Sequence, residues 1–133
     1  MIIQDSFKIN TNKNFEIIDI TSQINNLIEI ENGIISIFSR HSTSAIVVNE
    51  NESGLLNDLE FMLDNLVSDK FSYQHDRIDN NARSHLKSFL LSSSESLPIK
   101  NKKLDLGTWQ SVFFIELDGP RRARTVTLTM VGE

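Results

Sequence analysis

Three histidines, His41, His75 and His85, are the side chains best suited to chemistry, and each sits among hydrogen-bonding neighbours. His41 stands in Arg40-His41-Ser42-Thr43-Ser44, His75 in Tyr73-Gln74-His75-Asp76, and His85 in Asn80-Asn81-Ala82-Arg83-Ser84-His85-Leu86-Lys87. Neutral imidazole is the commonest protein ligand for zinc and similar ions. Three of them with a water would make an open site, in which a metal acidifies the water or polarises a substrate oxygen. Spacing alone leaves general-base or ordinary surface histidines as alternatives, because no His-Glu-x-x-His or His-x-x-x-His pair is present. With Asn80 or Asn81 as a helix cap, His85 falls near the first turn and His75 in the loop before it. The unpaired N–H groups of such a terminus favour phosphate or carboxylate, and Lys87 is placed to reach the same ligand. The alternative there is an ordinary capped surface helix.

Several other chemistries are excluded by the text. His41-Ser42-Thr43 has the His-x-Thr form of two-histidine phosphoesterases, but the second copy they need is missing, since His85-Leu86-Lys87 lacks the hydroxyl. There is no Gly-x-Ser-x-Gly elbow for a serine hydrolase, and neither a P-loop nor Gly-x-Gly-x-x-Gly among the five glycines. Trp109, in Gly107-Thr108-Trp109-Gln110, reads as the anchor of a strand start before it reads as a stacking platform. Glu50, closing an apolar run in Val48-Asn49-Glu50-Asn51, is a ligand, a base or a solvated loop residue.

These side chains must be positioned by a chain of 133 residues, enough for one domain and short for two. Cysteine is absent, which removes disulfides, thiolate metal sites and cysteine nucleophiles. The net charge of −5 argues against a general nucleic-acid or anionic-membrane binder. Charge is split: residues 1–97 carry seven basic and fourteen acidic side chains, whereas 98–133 carry six and four. Lys100, Lys102 and Lys103, then Arg121, Arg122 and Arg124, suggest a local anion site or solubilising loop charge. Without a leader-like N-terminus or an apolar run of about 18 residues, the expected location is the cytoplasm.

Periodicity supplies the elements. Ile3–Ile9 and Phe15–Ile18 read as strands, followed by a helix capped at Thr21, carrying Ile24, Leu27 and Ile28, and ended by Gly33. Ile34–Phe38 and Ala45–Val48 are strands flanking the His41 segment. A longer helix capped by Ser53 is expected to bury Leu55, Leu59, Met62 and Leu66, and a polar segment, 68–81, leads to a helix over Ala82–Leu91 with Leu86, Phe89 and Leu90 inward. Val112–Leu117 and Arg124–Val131 flank the turn Asp118-Gly119-Pro120, the last strand alternating Val126, Leu128 and Met130 with threonines. The order of elements predicts an α+β class with antiparallel sheets, in a single domain over 1–133.

Together the segments resemble a specific family. His41-Ser42-Thr43-Ser44-Ala45 leading to Asn49-Glu50-Asn51 is similar to its His-Thr-Ser-Ala…Asn-Glu-Asn, and Tyr73-Gln74-His75-Asp76 to its Tyr-x-His-Asp. Asp79-Asn80 through His85-Leu86-Lys87-Ser88 resembles its Asp-Asn-x-x-x-His-Ile-Lys-x-Ser. Gly107-Thr108-Trp109-Gln110 and Arg121-Arg122 match its Gly-Thr-Trp-Gln and Arg-Arg. The family is the YjbQ-type proteins, known as secondary thiamine-phosphate synthases. This chain departs from the pattern at Arg77-Ile78, where the family has Glu-Gly, and at Ser92, where it has glycine.

The resemblance implies an α+β fold of two packed, mainly antiparallel β-sheets with two to three helices, and a homotrimer that joins hydroxymethylpyrimidine diphosphate to thiazole phosphate, with that reaction a side activity of a histidine-lined site. In that reading His41, His75 and His85 hold zinc or a similar divalent metal, with Glu50 as base or extra ligand. Asn80, Lys87, Arg121 and Arg122 hold a small phosphorylated metabolite. Release of pyrophosphate would call for Mg²⁺ on oxygen ligands such as Glu50, Asp76 and Asp79. The alternative is a non-catalytic trimer that binds or senses a phosphorylated metabolite or divalent metal. Neither nucleic acid nor membrane is an expected partner.

Overall fold

The computed structural model describes residues 1–133. Its outer layer is an antiparallel sheet of five strands in the order β1 (Ile2–Ile9), β8 (Arg124–Gly132), β3 (Gly33–Ser39), β5 (Ser94–Lys100) and β6 (Lys103–Leu104). Strand β8 has one face to bury and is built for it: Val126, Leu128 and Met130 are buried while the intervening threonines face outward. The register sets Ile35 opposite Met130 and Ile37 opposite Leu128, so one continuous apolar face results.

That face packs on a three-stranded antiparallel sheet, β2 (Glu16–Asp19), β7 (Gln110–Glu116) and β4 (Ser44–Glu50). Between the sheets lies the main core, with Ile46, Val112 and Phe114 meeting Ile35, Ile37, Leu128 and Ile24. Phe113, Ile115 and Ala45 point to the opposite face of the small sheet, where a second cluster is closed by Leu56, Leu59 and Leu91. Strand β7 is therefore buried on both faces, which is why Val112-Phe113-Phe114-Ile115 reads as an unbroken apolar run. Three helices complete the chain: α1 (Thr21–Leu27), α2 (Ser53–Leu66) and α3 (Ala82–Leu91). No helix is long and apolar enough to cross a membrane.

The α+β class with two packed antiparallel sheets and three helices is as expected, and the differences are local. Strands β5 and β6 are absent from the sequence reading, because Glu95 and Pro98 interrupt a run in which only Leu97 and Ile99 are apolar and inward. Helix α1 ends at Leu27; Gly33 instead opens β3. Thr21 does not cap α1: Ile20 holds the cap position without a side-chain bond, and Asp19 before it accepts from the Thr21 amide at 3.0 Å and its hydroxyl at 2.6 Å. The α2 cap is Glu52 and not Ser53, its carboxylate accepting from the Gly54 and Leu55 amides.

The larger correction concerns which way the helices face. Leu56, Leu59 and Leu63 line the inner side of α2, whereas Leu55, Met62 and Leu66 are turned to solvent. On α3 the expected inner residues Leu86, Phe89 and Leu90 are exposed, and Ala82 and Lys87 are buried. Both helices carry apolar residues on two sides, so periodicity alone placed only Leu59 of the expected α2 stripe correctly and selected the wrong side of α3.

Candidate functional site

The β3–β4 loop, residues 40–43, and the face of α3 that bears His85 enclose a cleft of about 470 Å³. Arg40, His41, Ser42, His85, Ser88, Ser92 and Ser93 line it, with Phe38 and Phe89 as its apolar lip. No carboxylate lines the cleft. Ser88 is committed, donating to the Ser44 carbonyl at 2.6 Å, and Ser39 pairs with the Ser44 hydroxyl.

His41 is fixed by the backbone. Its Nε2 accepts a hydrogen bond from the Thr125 amide at 2.8 Å, so the ring proton lies on Nδ1. Burial, then the nearby Arg124 guanidinium, hold its pKa below the ordinary 6.5; Glu116 only partly counters them. A histidine kept neutral in the folded state opposes protonation that the unfolded chain accepts. Stability is therefore expected to fall as pH drops below about 6.5, and to stop falling once His41 itself is protonated. Urea unfolding of the wild type and His41→Gln at pH 7.5 and 5.5 checks this: the variant should lose less over that interval. The carboxylates held below their ordinary pKa values, Asp19, Glu52, Asp64 and Glu116, act only at lower pH.

Beneath the His41 loop lies a buried charged network. Arg124 donates from Nε to Glu116 Oε1 at 2.9 Å, from Nη2 to Glu116 Oε2, and from Nη2 to Thr43 Oγ1 at 3.0 Å. Glu116 also accepts from the Thr11 hydroxyl at 2.7 Å and the Asp118 amide at 3.0 Å. Sequence reasoning missed this pair and treated Arg124 as part of a surface cluster. The available signal was a single glutamate inside the apolar β7 run. The serines and Arg40 were missed as lining residues too; Ser92 had registered only as a departure from the family's glycine.

The three histidines do not gather around one point. His75, in a 3₁₀ turn over Gln74–Arg77, meets His85 edge-on with ring centroids 4.8 Å apart. Its buried Nε2 has no hydrogen-bond partner, and Asp79 Oδ2 at 4.0 Å is too distant to supply one. No group of three His, Cys, Asp or Glu side chains stands close enough to hold a metal ion, and His41 Nε2 already accepts the Thr125 amide. The expected three-histidine metal centre is therefore not formed by the residues of one chain.

The other expected residues are dispersed. Glu50 lies at the opposite end of β4 from the His41 loop, roughly 20 Å from Ser44 by strand rise. Lys87 is buried and donates to Asp64 at 2.8 Å, tying α3 to α2 and leaving the cleft unreached. The α3 N-terminus is occupied by protein: Asp76 Oδ1 accepts from the Ala82 amide at 2.9 Å, where an external anion would sit. Asn80 precedes that turn with φ of 56°; Asn81 and Arg121 both bind Asp118. Arg122 is exposed and forms no ion pair. Asp76 is thus spent on capping and Glu50 is remote, so they and Asp79 do not assemble a Mg²⁺ site.

A family model described as UPF0047 protein YjbQ-like matches residues 5–133. The chain belongs to the YjbQ family. Among YjbQ-family relatives, a UPF0047 protein of Methanothermobacter thermautotrophicus is 55% identical over 126 residues, covering 92% of this chain and 87% of its own. YugU of Bacillus subtilis, another UPF0047 protein, is 31% identical and covers 96% and 98%. A YbjQ-like crystal structure from Sulfolobus solfataricus superposes with a TM-score of 0.95 at 40% identity, over 100% of this chain and 99% of its own. That protein is described as being of unknown function. The synthase expectation is accordingly withdrawn. The family description names no activity, the descriptions of these relatives name none, and the metal centre it implied is not formed within the chain.

Proposed function

We propose that this YjbQ-family protein binds a small phosphate-bearing metabolite in the serine–histidine cleft. The observation that carries the reading is the lining: a guanidinium, two imidazoles and several hydroxyls, with no carboxylate among them. Arg40 forms no ion pair within the chain, so its charge is available to a ligand. A tetrahedral phosphate accepts donors from several directions, which suits groups arriving from both a loop and a helix face. His41, held as a neutral Nδ1 donor, would orient the ligand, with His85 facing it from α3. Assembly of several copies belongs to the same reading, supported by exposed Leu55, Phe61, Met62, Leu66, Phe89 and Leu90 on α2 and α3.

Titration calorimetry with inorganic phosphate and pyrophosphate, at constant ionic strength, tests the cleft. Arg40→Glu should weaken binding by roughly 10-fold or more, the scale of one charge-assisted hydrogen bond. His85→Ala should weaken it less. Equal affinity in the wild type and Arg40→Glu would remove the cleft as the site.

A further inference from the structure

Helix α3 carries a gradient of polarity around its exposed side. With about 100° between successive helical residues, Ser88 and His85 share one flank, Phe89 stands beside them, and Leu86 and then Leu90 follow. Lys87, held by Asp64, lies on the opposite, buried side. Phe89 is 84% exposed and Leu90 61%.

Three hollows follow the same order. The serine–histidine cleft is the first. His85 and Phe89 also line a second, of about 400 Å³, together with Tyr73, Gln74, His75 and Leu86. Tyr73, Leu86 and Phe89 in turn line a third, of about 410 Å³, together with Leu66, Phe71 and Leu90. Phe89 borders all three, so they form one trough. Its one permanent charge, Arg40, lies at the first end. The middle offers an amide and two imidazoles, and the last hollow is lined entirely by apolar and aromatic side chains. Even the Tyr73 hydroxyl is spent, donating to the Ser68 carbonyl at 2.6 Å, so Tyr73 offers its ring. A contiguous apolar surface that continues a cationic, hydroxyl-lined cleft has the form of a groove for a ligand with a polar head and an apolar tail.

We propose that the ligand of the cleft is an amphipathic phosphate monoester, whose hydrocarbon tail crosses Phe89 and lies along Tyr73, Leu86 and Leu90. The phosphate meets Arg40 and the hydroxyls, and Gln74 and the imidazoles border the ester linkage. This inference rests on the cleft being the phosphate site and adds the class of molecule that carries the phosphate. The occupant is a single dissolved molecule. Exposed Leu55, Phe61 and Met62, elsewhere on α2, remain for contact between copies.

Titration calorimetry with methyl, butyl and octyl phosphate, each below its micelle concentration, measures the tail directly. Affinity should rise roughly 100-fold or more from methyl to octyl phosphate, a modest share of what full burial of each methylene would give. Leu90→Gln, at an exposed position, should lose most of the gain from butyl to octyl and keep its affinity for inorganic phosphate. Arg40→Glu should weaken all three esters alike. Equal affinity for methyl and octyl phosphate, with inorganic phosphate still sensitive to Arg40→Glu, would overturn the tail and leave the cleft standing. A chain-length gain that ignores Arg40 would remove the cleft as the phosphate site, and this inference with it. Cosedimentation with phosphatidylcholine vesicles would give the apolar end to a bilayer, and a lower mass of Leu90→Gln in light scattering would give it to a second copy; either result overturns the proposal.

Discussion

Arg124→Met is expected to destabilise the protein by about 3–5 kcal/mol, the range for a buried ion pair that loses one partner. Glu116 has no exposed surface and Arg124 is 5% exposed, so water cannot replace the lost guanidinium. The remaining donors to the carboxylate, the Thr11 hydroxyl and the Asp118 amide, do not neutralise its charge. For a chain of 133 residues this corresponds to a melting temperature lower by roughly 10–18 °C.

The pH dependence separates a charge effect from simple loss of packing. In the wild type, burial pushes the Glu116 pKa up, but hydrogen bonds from Arg124, Thr11 and Asp118 more than offset it and hold it below 4.5. Its contribution is therefore present above pH 4.5 and is lost as pH falls through the folded-state value. In Arg124→Met burial prevails and the folded-state pKa rises, so the variant's deficit should shrink as pH is lowered toward 4.5. Adding Glu116→Leu removes the stranded charge, and the double variant should be more stable than the single one. Urea unfolding at pH 7.5 and 5 for all three proteins checks this; a double variant no better than Arg124→Met would show that packing, not charge, dominates. Thr43 and the Thr125 amide adjoin this network, so loosening it should also release the His41 ring.

The strands with regular burial were legible, and β5 and β6, which lack it, were not. Alternation in β8 and the unbroken run in β7 each have one structural meaning, and both appear as read. The helices were less legible, because α2 and α3 are apolar on more than one side. Leu56 and Leu59 pack on the small sheet, while Leu55 and Met62, one and three positions away, face solvent.

The site was legible in its histidines and not in its geometry. His41 and His85 do line one cleft, and His75 does touch His85. Linear order cannot show that a seven-residue strand carries Glu50 away from Ser44. Nor can it show that Lys87 turns toward Asp64, or that Asp76 fills the α3 terminus, since both depend on how the segment after α2 folds back. Serines escaped notice because a hydroxyl becomes informative only when several converge.

Gly33→Ala and Gly132→Ala should each destabilise by about 2–4 kcal/mol, combining overpacking with backbone strain. The two glycines face each other where β3 begins and β8 ends, each with φ of 157°. A Cβ on Gly33 would lie 2.1 Å from the Val131 carbonyl oxygen and 2.9 Å from Gly132 Cα. A Cβ on Gly132 would meet the Asn32 carbonyl oxygen at 2.1 Å and Gly33 Cα at 2.8 Å. These obstacles are main chain, so relief requires the strands to separate. Separation would break the neighbouring bond from the Glu133 amide to the Asn32 carbonyl, 3.0 Å, and disturb the central β3–β8 pairing. Because one alanine already opens the shared gap, the second should add less, and the double variant should fall short of the sum of the singles. Full additivity in urea unfolding would mean that the two positions relax independently, and that close approach of the strands is not what requires glycine at both.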